Sequence, residues 1–342
     1  GDRARKGQAC FRLRNTAERP SQFARALSLL FATICGATFG NPAVAQQIAD
    51  PDFDASVKSP AFTHEHPLVS VDEAHHNFHT VSGRYAPLAG LLKNDGYVVQ
   101  PGTTAFSAGT LAPLSVLIIS NALGGTTKET AGSPAFTDQE CDAVLDWVRK
   151  GGSLLLIADH APMGGAAANL AVRFGVTMGK GYVFDLSNST GDPTSLLFDR
   201  QNGLLGDHAI VRGRGNADTV TRVVAFLGQS LSVPTGATVL LRLGKTAYEA
   251  NTLDTMDVAL RALGEHRSVD AIAGLRPVQN SAQAIALNVD RGRVVIAGEA
   301  AMFTAQVVRI PNEPEVKAGM NSPGNDDKWF ALNVMRWLSR AL

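Results

Sequence analysis

The chain has 342 residues, 45% of them hydrophobic, and its 31 basic residues are balanced by 31 acidic ones. That length and apolar content allow a sizeable core, in one large domain or two modest ones. The charge balance leaves no long-range field to draw nucleic acid or an anionic membrane.

The first stretch reads as a targeting segment. Arg3, Arg5, Lys6, Arg12, Arg14 and Arg25 form a basic lead to the apolar run Ala26–Phe39. That run is too short, and too broken by Gly36, to span a bilayer comfortably. Ala43-Val44-Ala45 then places small residues at cleavage positions. Residues 1–45 therefore read as a secretory signal peptide. The protein is expected to be exported, periplasmic or secreted, with no membrane attachment after cleavage. Cleavage removes Cys10 and Cys35 and leaves Cys141, so no internal disulfide is expected and the core must suffice. Residues 46–67 read as a polar, proline-containing extended lead-in, with His64 and His66 as loop histidines. Residues 68–342 show no repeat or linker and read as a single α/β domain.

Leu68–Val71 reads as a first strand, followed by a helix over Gly83–Asn94 with Pro87 tolerated in its first turn. Tyr97–Val99 and Leu114–Ile119 read as the next strands. Thr137 and Glu140 form a capping box. It opens a helix that carries Cys141, Val144, Leu145 and Val148 on one face, so Cys141 reads as a packed thiol. Ser153–Ile157 is continuous in Leu and Ile, as a central parallel strand should be. A small-residue helix over Ala166–Phe174 follows, with Gly175 as its cap. Gly179–Gln201 predicts an irregular excursion over the strand ends. Val220–Phe226 and Thr238–Leu243 read as strands, and Asn251–Ser268 carries no clear signal. Ala284–Val289 and Arg293–Ala297 read as a hairpin turned by Asp290-Arg291-Gly292. The chain closes with a helix over Asp326–Leu342, apolar at Phe330, Val334, Trp337 and Leu338.

Four of these strands end in polar residues: Asp72-Glu73 followed by His75, His76, Asn77 and His79; Asn121; Asp159-His160; and Glu299. In a parallel sheet these carboxyl ends share one edge, where open α/β sheets bind their ligands. Two kinds of site fit the residue types. One is a divalent-metal site, with His75, His79, Asp159 and His160 as ligands. The other is a metal-free acid–base or sugar-binding site, in which Asp72, His75, Asp159, His160 and Glu299 move protons. Glu73, Asn77, Asn121 and His208 would contact substrate. Helix capping and mutual pairing account equally well for Asp72, Asp159 or His160 taken singly. The chain contains no G-x-S-x-G elbow, Walker lysine or dinucleotide glycine spacing.

The segments DEAHHN (72–77), GGSLLLIAD (151–159), DHAIVRG (207–213) and GRVVIAGEAAMFT (292–304), with the closing FALNVMRWL (330–338), resemble the class I glutamine amidotransferase-like superfamily. The likeness runs from about Leu68 to Leu342. Within the superfamily it is nearest to exported members related to ThuA-like and gliding-motility-associated domains. The resemblance implies a flavodoxin-like three-layer sandwich with a mainly parallel sheet between helices. Glutamine hydrolysis does not carry over. That chemistry uses a cysteine on the strand-to-helix turn, where this chain has Asp159-His160, while Cys141 lies in the preceding helix. The sugar metabolism associated with ThuA-like relatives implies a carbohydrate ligand. The expected function is an exported hydrolase-type enzyme, metal-assisted or metal-free, acting on a small polar or carbohydrate-like substrate. The alternative is a non-catalytic domain that holds a glycan or a protein in the same crevice.

Overall fold

A computed structural model of the protein describes residues 46–309 and 314–342; the signal-peptide reading, Cys10 and Cys35 fall outside them. In chain order the elements begin with β1 (Gln46–Ala49), β2 (Leu68–Asp72), α1 (Ala86–Asn94), β3 (Val98–Gly102), α2 (Ala108–Leu111), β4 (Val116–Ser120), α3 (Asp138–Arg149), β5 (Ser153–Ile157) and α4 (Met163–Ala171). They continue with β6 (Tyr182–Asp185), β7 (Ser195–Asp199), α5 (Ala209–Arg212), β8 (Arg222–Phe226), β9 (Thr238–Arg242), β10 (Ala247–Ala250), α6 (Leu253–Gly264) and β11 (Leu275–Pro277). Last come β12 (Ala282–Val289), β13 (Gly292–Ala297), β14 (Ala305–Arg309), β15 (Val316–Gly319) and α7 (Asp327–Leu338).

Seven strands form the main sheet, in the order β3-β2-β4-β5-β13-β12-β9. β3, β2, β4, β5 and β13 run parallel, and β12 returns antiparallel between β13 and β9. The expected α/β class with a mainly parallel sheet is therefore present. The runs VLIIS and SLLLI are buried at every position because both faces of the sheet are covered. Strand alternation divides their side chains between two cores. Val69, Ile118, Leu155 and Val295 pack with Leu88 of α1 and Phe330 of α7. Leu117, Leu154, Leu156 and Ile296 pack with Val144 of α3 and Leu170 of α4. Pro101 is accommodated because β3 is an edge strand. Thr137 and Glu140 form the capping box read from the sequence, and Cys141 is fully buried. The β12–β13 hairpin turns at Asp290, whose φ is 50°.

Four local features differ from the sequence reading. Gln46–Ala49 of the lead-in is strand β1, paired antiparallel with β14. The excursion over Gly179–Gln201 contains β6 and β7, paired with β10 and β8. Four or five residues with such distant partners leave no local signature. The stretch without a clear signal holds α6, whose N-cap Thr252 accepts from the Thr255 amide. Finally, α7 is buried nearly all round rather than on one side. Its Arg336 is tolerated inside because it binds Asp95 through two nitrogens at 2.9 and 2.8 Å and Asp218 through a third at 2.8 Å.

Candidate functional site

The carboxyl ends of β2, β4, β5 and β13 do converge, but their polar residues divide into two clusters. The first is built from the β2–α1 loop. The His75 ring lies between Phe106 and Phe136, with centroids 4.7 and 4.8 Å away. Its Nδ1 is 2.9 Å from both carboxyl oxygens of Asp72, and its Nε2 is 2.9 Å from Oε1 of Glu140. Burial alone would lower the pKa of His75, but the bonds and charges of Asp72 and Glu140 prevail and raise it. Burial opposes the charge of Glu140 as well; hydrogen bonds from Thr137, His75 and Phe106 nevertheless bring its pKa down to about 2. The Asn77 amide donates to Asp72 at 2.9 Å and to the Ser120 carbonyl at 3.3 Å, while its oxygen accepts from the His75 amide. Glu73 accepts from the Val81 amide at 2.7 Å. Asp72, Glu73, His75 and Asn77 thus brace the loop.

The second cluster is centred on Asp159 and Glu299. Glu299 is fully buried and accepts from the amides of Ala301 at 2.6 Å and Met302 at 2.9 Å. The Asp159 side chain is 15% exposed and accepts from the His160 amide at 2.8 Å, and also from the Ala300 amide and the Asn121 side chain. Both carboxyls therefore draw on the same short turn after β13. Burial pushes Glu299 well above the usual carboxylate range, and the charge of Asp159 pushes it further. Burial also raises Asp159, against the lowering effect of His160. Asn121, at φ 49°, accepts from the Asp159 amide through its side-chain oxygen and so ties the β4 end to the β5 end.

A buried polar wall stands beside this pair. Ser120 donates to the Tyr85 hydroxyl at 2.8 Å and lies 3.2 Å from Nδ1 of His79. His79 stacks on Tyr85 at 4.6 Å, and burial, helped by the charge of Arg84, takes its pKa to about 3, so it is neutral. On the other side His160 stacks on Tyr182 of β6, centroids 4.9 Å apart, and its Nδ1 is 2.8 Å from the Ala161 carbonyl. Gln229 fastens this side by donating to the carbonyls of Ala158 at 2.8 Å and Asp159 at 3.0 Å.

Two expectations are corrected. His75, His79, Asp159 and His160 are not assembled as metal ligands: among the described residues no group of three or more His, Cys, Asp or Glu could hold an ion. Both His75 nitrogens are taken by carboxylates, and the Nδ1 of His79 faces Ser120. His208 is not at the crevice. It caps α5, accepting from the Ile210 amide, and its ring lies 5.0 Å from that of Trp337, near the amino edge of the sheet where Arg293, second residue of β13, lies over Trp337. A groove of about 930 Å³ also opens at that amino edge, lined by Ser107, Trp147, Lys150 and Arg340, and none of the predicted site residues borders it.

Sequence reasoning did not reach Glu140 as a partner of His75, nor Tyr85, Ser120, Tyr182 and Gln229. Glu140 was legible as a capping residue only; the others have no motif, and their roles depend on which elements pack together.

No protein-family model matches the chain, and no curated protein matches it. Among solved structures, the mmIFT52 N-terminal domain superposes with a TM-score of 0.54 at 14% identity, covering 79% of this chain and 97% of that one. A ThuA-like protein from Bacteroides uniformis superposes at 0.39 with 14% identity, covering 87% of this chain and 95% of that one. Another from Parabacteroides merdae reaches 0.41 with 11% identity, over 80% of this chain and 90% of that one. The likeness to the mmIFT52 domain shows a shared fold.

Proposed function

We propose that the protein is an exported hydrolase-type enzyme of the class I glutamine amidotransferase-like kind, acting without glutaminase chemistry on a small polar or carbohydrate-like substrate. The observation that carries this reading is the Asp159–Glu299 pair. Two carboxyls stand at neighbouring parallel strand ends, one slightly exposed and the other fully buried, and both are pushed upward. Such perturbed pairs in clefts favour proton transfer near neutral pH. In this reading Asp159 exchanges the proton with substrate. Glu299 holds a proton behind it and keeps the site close to neutral. His160 and Tyr182 form a stacking wall suited to a flat polar ligand.

The order 2-1-3-4-5 taken by β3, β2, β4, β5 and β13, with a core on each face, supports assignment to the flavodoxin-like three-layer sandwich. The burial of Cys141, whose thiol is pushed up to about 11, supports the absence of cysteine chemistry. Export rests on the basic, apolar and small-residue pattern of residues 1–45.

The test is product formation from a panel of glycosides, amides and esters, with Asp159→Asn as the diagnostic variant. Loss of turnover with an unchanged unfolding midpoint is the expected result; wild-type turnover in Asp159→Asn would remove Asp159 from the mechanism. A second reading, a non-catalytic glycan- or protein-binding domain, is favoured by the donors already engaged on Asp159: the His160 and Ala300 amides and Asn121. It predicts that panel compounds raise the melting temperature without yielding product.

A further inference from the structure

Arg84 lies in the turn before α1, next to Tyr85 and close to Phe78 and His79 at the carboxyl edge of the sheet. Its guanidinium carbon is 4.0 Å from the centre of the Phe78 ring. It is half-buried, yet among the described residues it makes no hydrogen bond and no ion pair. Among the described residues the other arginines that are at least partly buried have polar partners: Arg336 with Asp95 and Asp218, Arg173 with Asp138 and Asp142, and Arg293 with the carbonyls of Trp337 and Leu342. Burial without a partner lowers the pKa of Arg84 to about 10. Withdrawing a charge from water costs free energy unless something pairs with it. Among the described residues nothing offsets that cost here beyond the contact with the Phe78 ring.

The position of Arg84 says what would pair with it. Its neighbour Tyr85 reaches the end of β4 through Ser120 and feels the charges of Glu299 and Asp159. The planar fork of a guanidinium is matched by the two oxygens of a carboxylate or by a phosphate. Adjacent His79 is neutral and adds no competing charge.

We propose that Arg84 is an oxyanion anchor, receiving the carboxylate or phosphate group of a small ligand at the carboxyl-end crevice. This deepens the reading of the crevice as a small-molecule site and rests on it for the location. The substrate is then an anionic polar molecule, such as a sugar acid or a phosphorylated polyol, rather than a neutral sugar.

The experiment is a thermal-shift titration at constant ionic strength with inorganic phosphate and, separately, with citrate, on wild type, Arg84→Met and Asp159→Asn. The expected result is a saturable rise of roughly 5 °C with at least one of the anions in wild type. A rise with citrate alone identifies a carboxylate, and a rise with phosphate alone a phosphate. The rise should vanish in Arg84→Met and persist in Asp159→Asn. Without ligand, Arg84→Met should melt no lower than wild type, because an unpaired half-buried charge has been removed. The proposal is overturned by the absence of a saturable rise with either anion, by an equal rise in Arg84→Met, or by a clear loss of stability in ligand-free Arg84→Met, which would make Arg84 a structural partner of Phe78. Normal turnover in Asp159→Asn alongside an intact anion response defeats the acid–base reading alone.

Discussion

Nε2 of His75 lies 2.9 Å from Oε1 of Glu140, a residue 65 positions further along the chain. Through this contact the loop after β2 is bolted to the N-terminus of α3. The same glutamate also closes the α3 capping box, accepting from the Thr137 amide at 3.0 Å, and it accepts from the Phe106 amide at 3.1 Å.

Replacing His75 with Ala leaves the Asp72 and Glu140 carboxyls facing each other without their cation. The expected loss of stability is roughly 3 kcal/mol, read as a lowered urea midpoint. The pH dependence separates pairing from packing. Because the folded pKa of His75 is raised, its contribution is fully present below about 6.5 and fades as pH rises through the folded value. Glu140 behaves oppositely: its contribution is present above about 4.5 and is lost as pH falls toward about 2. The stability gap between wild type and His75→Gln should therefore be widest between these limits and narrow on the alkaline side. A gap independent of pH would show that the pair contributes only through shape.

Glu299 carries the opposite sign from an ordinary surface carboxyl. Its folded pKa is raised, so the native state binds the proton more tightly and stability falls as pH climbs above about 4.5 toward the folded value. Glu299→Gln is expected to cost about 1 kcal/mol near pH 5, since the new amide nitrogen cannot accept from both Ala301 and Met302. That cost should shrink as pH rises. Denaturation midpoints of both proteins from pH 5 to pH 9 check this, and parallel curves would show that Glu299 titrates normally.

Arg336 is fully buried and holds Asp95 and Asp218 together beneath α7. Arg336→Leu strands two carboxyls and should cost roughly 3–5 kcal/mol. Arg336→Lys keeps the charge but loses the two-pronged bond to Asp95, and should recover less than half of that loss. Chemical denaturation of both variants, with a far-UV spectrum to confirm folding, measures the difference.

Gly96 closes the turn after α1 at φ +98°, and an added Cβ would lie 1.9 Å from the Phe62 carbonyl oxygen. Gly203 also has a positive φ, +71°, but nothing lies within 4 Å of its Cβ position. Gly203→Ala should cost about 1 kcal/mol of backbone strain. Gly96→Ala should cost markedly more, because the strained backbone and the clash act together. Equal melting temperatures for the two variants would mean that the Phe62 segment moves aside at no cost.

The parallel strands were legible in the sequence because burial on both faces demands an unbroken apolar run. Ser153–Ile157 could be delimited to the residue for that reason. The capping box and the β12–β13 hairpin were legible because a side chain answers a backbone group only a few residues away. The small sheets were not. Tyr182–Asp185 becomes a strand only because Ala247–Ala250 lies beside it, and local propensity carries no trace of so distant a partner.

The site divides along the same line. The sequence by itself placed Asp72, Asn121, Asp159 and Glu299 at strand ends, since the chain must leave the apolar sheet where polar residues begin. Only the tertiary structure decided what those residues face. It spent His75 on two carboxylates, sent His208 to the amino edge with Trp337, and drew Asp159 and Glu299 to one buried turn. It also left Arg84 half-buried over the Phe78 ring, with no ion pair among the described residues. Burial and charge pairing are properties of neighbours in space, and the proton affinities of these side chains are set there.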